Sequence, residues 1–291
     1  MSRLLRLPLF VTAAADAVAG YFVAILPRLE AVSWQHVGLV AGTSSGLYLY
    51  GMVENDLVDR RRDRLLDTGR PLATGEVGLP AAILLLVLSA AVTAGGAILL
   101  ARTGRGGAVV IAIGAFAAVN LYNLAAKHGP SFVAMTVRGL CRFLTFFIGV
   151  AAARGVPHDI TPDLFGLSGP LWVRHGAALF FAACVVTGYG ILARREASVS
   201  SRPWTAAFFA AAVAGFAMIA VAVSTTADSF HAPVARLFAF LLLAAMWPSG
   251  LWSAAGPERR PEAYRRFIPR MLYWLILMDA AFVADKWLMT M

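Results

Sequence analysis

E-N-D-L-V-D-R-R-R-D, residues Glu54–Asp63, is a polar stretch at the end of an apolar segment. Its carboxylate and amide side chains are separated by one, three or four, and seven positions, so a helix would place them on one face. Three carboxylates and one amide are hard oxygen ligands, which suit Mg²⁺ better than zinc or copper. The stretch therefore predicts a magnesium site formed by Asn55, Asp56, Asp59 and Asp63.

The composition of the chain is that of a membrane protein. Of its 291 residues, 59% are hydrophobic and 14% are charged, whereas about a quarter of the residues in a soluble domain are charged. Apolar runs of about 18 residues or more recur along the sequence, as transmembrane helices require. The formal charge of +9 is concentrated in short loops, which indicates cytoplasmic loops and not a nucleic-acid partner.

The apolar runs predict an all-α, polytopic membrane protein, with one domain over residues 1–291 and about nine helices around a central cavity. The first run is interpreted as a transmembrane helix and not a cleaved signal, because Asp16 interrupts it and further runs follow. The predicted spans are roughly 8–26, 36–53, 80–101, 107–126, 131–151, 175–193, 203–223, 234–253 and 268–288.

Arginine and lysine are divided unevenly between the loops on the two sides. One set of loops contains clusters such as 60–62 and 259–260, while the alternate set contains isolated arginines. By the positive-inside rule, the N-terminus and the Glu54–Asp63 stretch face the cytoplasm. The polar chemistry of the chain is therefore expected at the cytoplasmic ends of the helices.

Polar residues also follow the fourth predicted span. Asn120, Asn123 and Lys127 share a helical face at its cytoplasmic end, and that face is suited to a phosphate group. The alternative is a lysine that extends to the membrane boundary without any ligand.

Two arginines lie inside the fifth predicted span, one helical turn apart. Arg138 would lie about 10 Å into a helix that begins near residue 131, and a lipid-facing arginine there costs roughly 2.5–3.5 kcal/mol. We therefore expect Arg138 and Arg142 to face a hydrated cavity. The alternative is structural pairing with the intramembrane acids Asp16 and Asp279.

A third polar group, V-T-G-Y-G-I-L-A-R-R-E, ends the sixth predicted span. Tyr189 and Glu196 are seven residues apart and can share a helical face, with Arg195 beside them. A single carboxylate makes a weak metal site, so an ordinary basic loop is the alternative.

Acidic and basic groups at the mouth of an apolar cavity suit a ligand with a diphosphate head and an apolar tail. Carboxylates bind Mg²⁺, the metal binds the diphosphate, and arginine and lysine neutralise the remaining charge. An allylic diphosphate in such a site ionises more easily, because the surrounding cations stabilise the leaving group.

Several motifs resemble those of the UbiA superfamily of intramembrane prenyltransferases. N-D-L-V-D-R-R-R-D (55–63) resembles the family's N-D-x-x-D-x-x-x-D, and R-P-L-A-T-G (70–75) resembles its R-P-L-x-x-G. Y-N-L-A-A-K (122–127) is similar to a Y-x-x-x-x-K element, and residues 6–21 are similar to the family's first helix. The similarity extends over essentially the whole chain.

The resemblance implies a helical bundle whose cavity opens towards the membrane, and Mg²⁺-dependent transfer of a prenyl group from its diphosphate to an aromatic or other lipophilic acceptor. Besides these two substrates, the expected partner is membrane lipid. By motif position, the metal ligands would be Asn55, Asp56, Asp59 and Asp63, and the catalytic residues would be Asp56, Asp59, Arg70 and Lys127. The residues expected to bind the prenyl diphosphate are Arg70, Tyr122, Asn123, Lys127, Arg138, Arg142, Tyr189, Arg195 and Glu196.

The sequence departs from the family pattern in two places. The second aspartate-rich motif, D-x-x-x-D, is replaced by the stretch from Tyr189 to Glu196, which contains no aspartate, and Leu9 occupies a position where the family usually has asparagine. The Tyr189–Glu196 stretch and the closing R-F-I-P-R-M-L-Y-W-L-I-L-M-D-A-A (266–281) are more similar to the EboC-like branch. Members of that branch occur in bacteria, which implies a bacterial cytoplasmic (inner) membrane. The alternatives are a non-catalytic isoprenoid or lipid carrier with this fold, and a transporter that uses the intramembrane charges Asp16, Arg138, Arg142 and Asp279.

Overall fold

The computed structural model describes residues 7–25, 32–154, 171–193, 207–215, 218, 280 and 283. These residues are helical or in turns and loops, and no strand occurs among them, which confirms the all-α prediction for this part of the chain. The helices are α1 Leu7–Ile25, α2 Trp34–Leu65, α3 Pro71–Thr74, α4 Leu79–Arg102, α5 Gly106–Leu124, α6 Ser131–Arg154 and α7 Leu171–Ala193, with a 3-10 turn at Ala126–His128.

Most helix bounds lie within a few residues of the predicted spans. Residues 207–215 are also helical and fall inside the seventh span, whereas span 234–253 and nearly all of span 268–288 lie outside the described residues. The number of nine spans therefore stays a prediction. Three described helices, at 79–102, 106–128 and 131–153, are long and apolar enough to cross a membrane.

Helix α2 is longer than the sequence suggested. The predicted span stopped at residue 53, but α2 continues without a break to Leu65, for 32 residues in all. At 1.5 Å per residue it is about 48 Å long, while the hydrocarbon core of a bilayer is about 30 Å thick. Hydropathy marks where the apolar part of this helix stops, not where the helix stops, because charged residues such as arginine are good helix formers. The Glu54–Asp63 stretch is thus part of the same rigid helix as the second span.

Helix α4 has a largely exposed outer face. Only 22% of its most apolar 18-residue stretch is buried, and its exposed large hydrophobic side chains are all aliphatic, namely Leu79, Ile83, Leu84, Val87, Leu88, Val92, Ile98 and Leu99. A soluble protein would not expose such a continuous apolar strip. The strip is the surface expected of a helix that contacts lipid.

Helices α1 and α6 cross in close backbone contact. A Cβ atom at Gly149 would collide with the carbonyl oxygen of Ala17, and one at Gly20 would collide with the carbonyl oxygen of Phe146. Small residues at such a crossing allow membrane helices to pack closely. Tyr21 and Phe146, both 1% exposed, fill the space beside the crossing. The contact holds the second half of α1 against the second half of α6.

The segment after α2 folds back over it. Leu72 is 1% exposed and packs with Val53, Val77 and Ala82. Pro71 occupies the first turn of α3, where a missing backbone N–H costs nothing. The short helix ends at Gly75, whose φ of 83° favours glycine. As a result Arg70, the residue before α3, is directed back at the polar half of α2.

Candidate diphosphate and metal site

The carboxylates of α2 are buried although they lie in the charged half of the helix. Asp56, Asp59 and Asp63 are 3%, 8% and 5% exposed. The helix brings them to one side, as their spacing predicted, while the exposed Arg61 and Arg62 occupy another side. Buried carboxylates require positively charged or hydrogen-bonding partners, and two basic side chains from other segments supply them.

Arg70 contacts all three aspartates with a single nitrogen. Its Nη1 donates a hydrogen bond to Asp56 Oδ1 at 2.9 Å. The same Nη1 lies 3.1 Å from Asp63 Oδ2 and 3.8 Å from Asp59 Oδ2. The three carboxylates thus converge on one point, and the buried packing of α3 against α2 holds Arg70 at that point.

Lys127 approaches the same cluster from the end of α5. Its Nζ lies 2.9 Å from Asp59 Oδ1 and donates to Asn55 Oδ1 at 3.0 Å. The lysine is not on α5 itself, as the shared-face prediction had it, because the helix ends at Leu124 and Lys127 lies in the following 3-10 turn. The turn carries the ammonium group across to α2.

The donor set around these two cations fits a divalent metal ion. In the described part of the chain, no three Asp, Glu, His or Cys side chains are close enough together to bind a metal ion as they stand. The three aspartates are instead arranged around Arg70 Nη1, at 2.9–3.8 Å from it. Mg²⁺ takes oxygens at about 2.0–2.1 Å and keeps several waters, so a metal ion held by these oxygens would take the place that Arg70 Nη1 now has. Asp63 Oδ2 is buried and accepts no hydrogen bond in the described structure, so it has capacity for a further partner.

The residues that the sequence assigned to the diphosphate do not all meet at this cluster. Arg138 places its guanidinium carbon 5.1 Å from the centre of the Tyr122 ring, in a cation–π contact between α6 and α5. Asn123 is 2% exposed and donates to α2. Tyr189 belongs to α7, but its side chain and residues 194–200, with Arg195 and Glu196, lie outside the described part.

Arg142 is held by a different acid. Its Nη1 lies 2.6 Å from Asp16 Oδ2 on α1 and donates to Thr12 Oγ1 at 3.3 Å. The structure therefore shows, for Arg142, the structural pairing that was the alternative to a hydrated cavity. Asp279, the other acid considered as a partner, lies outside the described residues.

Sequence inspection assigned no role to Glu54, which lies beside the predicted ligands. Its carboxylate is 7% exposed, accepts from Tyr50 OH at 3.2 Å and accepts from Asn123 Nδ2 at 2.7 Å. The only signal in the sequence was the four-residue spacing of Tyr50 and Glu54, which places both on one helical face.

The arrangement of helices in this chain is similar to that in several solved structures. A UbiA homologue from Archaeoglobus fulgidus bound to DMAPP and Mg²⁺ matches with a TM-score of 0.68 and 17% identity, over 97% of this chain and 98% of that chain. The chain has the UbiA fold. A UbiA homologue from Aeropyrum pernix K1 matches with a TM-score of 0.64 and 16% identity, over 99% of both chains.

The UbiA fold recurs in a digeranylgeranylglyceryl phosphate synthase, with a TM-score of 0.60 and 16% identity, over 98% of this chain and 96% of that chain. No protein-family model and no curated protein matches the sequence. At this low identity the likeness establishes the fold. Together with the three membrane-length helices, the UbiA fold marks the chain as an integral membrane protein.

Proposed function

We propose that the protein transfers a prenyl group from a prenyl diphosphate to a lipophilic or aromatic acceptor within the membrane, with Mg²⁺ as cofactor. The observation that carries the proposal is the convergence of three buried aspartates on Arg70 Nη1, at 2.9–3.8 Å. Neighbours of the same fold hold GPP or DMAPP together with Mg²⁺, which supports the choice of ligand.

The charge of the cluster favours a cationic ligand. In the described ion pairs, Asp56, Asp59 and Asp63 share two basic side chains, Arg70 and Lys127. Among these described groups the three carboxylates outnumber the two cations by one, and a divalent ion would reverse the sign of their summed charge. A cluster with net positive charge is then suited to the diphosphate, an anion.

Asn55, Asp56, Asp59 and Asp63 would hold Mg²⁺. Bound there, Mg²⁺ supplies Lewis-acid stabilisation of the charge that develops on the diphosphate as its bond to the prenyl carbon breaks. Arg70 and Lys127 would turn from the carboxylates to the phosphate oxygens, because each cation pairs best with the nearest uncompensated anion. Arg70 directly precedes the short helix α3 and Lys127 lies in the 3-10 turn, so this change needs no movement of a long helix.

The apolar part of the bundle would accommodate the prenyl chain and exclude water from the reactive carbon. The acceptor is expected to be lipophilic, since the site belongs to a membrane protein. The form of the Tyr189–Glu196 stretch and the stretch 266–281 favour the EboC-like branch over the members that act on familiar quinone precursors. We place the protein in a bacterial cytoplasmic membrane with this site facing the cytoplasm, on the distribution of arginine between the loops.

The proposal is tested by transfer in reconstituted membranes. The purified protein in nanodiscs is supplied with labelled prenyl diphosphates of several chain lengths and an acceptor panel that includes lipids co-purified with the protein and identified by mass spectrometry. We expect an organic-soluble labelled product that disappears on chelation of Mg²⁺. Binding of the diphosphate without any product would instead favour a lipid carrier with the UbiA fold, and absence of both would contradict the proposal.

A further inference from the structure

The amide nitrogen of Asn123 is fully engaged with α2. Its Nδ2 donates to Glu54 Oε2 at 2.7 Å and to the backbone carbonyl oxygen of Gly51 at 2.9 Å. A side-chain amide nitrogen has two hydrogens, so these two bonds use both. The amide group that the sequence assigned to a phosphate is instead a link between two helices.

The contact at Gly51 and Asn123 requires a close approach of α2 and α5. A Cβ atom at Gly51 would come within 2.8 Å of Val119 Cγ1. The neighbouring Tyr50 packs on Phe116 with ring centres 4.5 Å apart, and the Tyr50 hydroxyl lies 3.0 Å from Asn120 Oδ1. The two helices therefore meet along a continuous strip that ends at Asn123.

Glu54 is a buried carboxylate held by neutral donors. In the described part of the chain no arginine, lysine or histidine forms an ion pair with it, and its described partners are Asn123 and Tyr50. Hydrogen bonds to an ionised carboxylate are stronger than those between neutral groups. Loss of either Glu54 or Asn123 would therefore weaken the contact between α2 and α5, because the other described polar contacts there, Tyr50 with Asn120 and Asn123 with Gly51, join neutral groups.

The same register brings Lys127 to the aspartate cluster. Asn123 and Lys127 are four residues apart. Asn123 contacts Gly51 and Glu54 on α2, and Lys127 contacts Asn55 and Asp59, which lie four or five residues further along α2. Helix α5 ends at Leu124, so Lys127 lies beyond the regular helix. Asn123 is the last residue of α5 with a described side-chain hydrogen bond to α2 before the turn that carries Lys127.

We propose that Glu54 and Asn123 form a latch that positions Lys127 against Asp59 and Asn55. The latch aligns the end of α5 with α2, so that the ammonium group lies at the cluster when the diphosphate arrives. The geometric part of this inference stands on the contacts alone, and its catalytic consequence rests on the prenyl transfer proposed above. Glu54 and Asn123 are positioning residues in this scheme, since neither is required to touch the substrate.

The position of Lys127 can be measured without any enzyme assay. The chain contains two lysines, Lys127 and Lys286, so the rate of reductive methylation at Lys127 can be followed by peptide mass spectrometry with Lys286 as internal reference. We expect Glu54→Ala and Asn123→Ala each to raise the Lys127 rate about fivefold or more. The Ser44→Ala variant serves as control, because Ser44 is equally buried on α2 and bonds only within its own helix in the described structure.

A conservative substitution at Glu54 distinguishes loss of the Glu54–Asn123 hydrogen bond from a general loosening of the packing between α2 and α5. Glu54→Gln keeps an oxygen that accepts from Asn123, so we expect it to retain the protected state of Lys127 that Glu54→Ala loses. An unchanged Lys127 rate in both alanine variants, or the same increase in the Ser44→Ala control, would overturn the latch. If one alanine variant does not fold, the other breaks the same bond from the opposite helix and gives the answer.

The catalytic consequence is tested by a double-mutant cycle. In the transfer assay, Glu54→Ala should raise KM for the prenyl diphosphate about tenfold with a smaller change in kcat, and Glu54→Gln should restore most of the loss. In a Lys127→Ala background the Glu54→Ala change should add less than about twofold, because the residue it positions is gone. Full additivity would overturn the role of the latch in diphosphate binding. A wild-type protein without transfer activity would count against the proposed function, while the methylation rates would still decide the latch.

Discussion

The protein contains two buried acid–base groupings that differ in how they are built. At the end of α2, three aspartates share Arg70 and Lys127, which come from a short helix and a turn. Between α1 and α6, one aspartate meets one arginine on two long helices in backbone contact. Among the described residues, the first grouping has three acids and two bases that lie on short segments, and the second has one acid and one base on long packed helices.

The difference separates ligand binding from helix assembly. A buried ion pair between packed helices is costly to break, since removal of one partner leaves a charge in an apolar environment. A cluster in which acids outnumber bases is stabilised by an added cation. In the Asp16–Arg142 pair, by contrast, the protein itself supplies the positive charge. The Asp16–Arg142 pair therefore belongs to the structural frame, and the α2 cluster belongs to the proposed site.

The largest expected effect is on activity at the cluster. Asp56→Asn with Asp59→Asn should lower kcat/KM by about 100-fold or more, on the scale of losing one strong charge-stabilising interaction in an active site. The same variant should lose less stability than the Arg142→Met variant, because Arg70 keeps Asp63 and the asparagine oxygens still accept hydrogen bonds from the two basic side chains. The matched control is Asp67→Asn, an exposed acid at a φ of 46°, a conformation that asparagine also adopts. A large loss of stability with little loss of activity would reverse the assignment of the two regions.

The next effect is on stability at the balanced pair. Arg142→Met removes the cation from Asp16, which is 0% exposed, and should cost roughly 3–5 kcal/mol of unfolding free energy. The double variant Asp16→Leu with Arg142→Met should recover most of that loss, as apolar replacements of buried pairs often do. Thermal unfolding in detergent provides the comparison. If Arg142→Met leaves stability unchanged but raises KM for the diphosphate, Arg142 belongs to the site after all.

The contrast also shows how far the sequence predicts the structure. Periodicity fixed which residues of α2 share a face, and apolar runs gave six helices to within a few residues at most ends. Arg70 and Lys127 were assigned to the cluster through the motifs, and the structure places both of them there.

Other features required the three-dimensional arrangement. Helical periodicity shows which residues lie together on one helix, but not which neighbouring helix that face meets or at what depth. The pairing of Arg142 with Asp16 and of Asn123 with Glu54 depends on the relative depth of two helices. The predicted span did not include the extension of α2 to Leu65, because hydropathy shows how apolar the residues are and not whether their backbone is helical.

A smaller effect is expected when one cation of the cluster is changed in shape. Arg70→Lys keeps the charge, but a shorter ammonium side chain cannot reproduce the geometry of the guanidinium. We expect KM for the prenyl diphosphate to rise about tenfold with little change in unfolding temperature. Arg61→Lys on the exposed side of α2 is the matched control and should match the wild type. Equal behaviour of the two variants would argue that Arg70 contributes charge alone.

The smallest effect concerns the turn that returns Arg70 to α2. Gly75 ends α3 at a φ of 83°, so Gly75→Ala should introduce strain of about 1 kcal/mol. The strain should raise KM by only a few fold, because Leu72 still anchors the segment in the core. Gly38→Ala is a suitable control, since a Cβ there meets no atom within 4 Å. A KM increase in both variants would show that the turn has no special role.

The central claim, that the α2 cluster binds a diphosphate through Mg²⁺, is tested most directly by equilibrium binding of a labelled prenyl diphosphate to the protein in nanodiscs. We predict that chelation of Mg²⁺ raises Kd at least about tenfold for the wild type, and that the Asp56→Asn with Asp59→Asn variant binds weakly with or without the metal. Tight binding that is indifferent both to Mg²⁺ and to these substitutions would contradict the account.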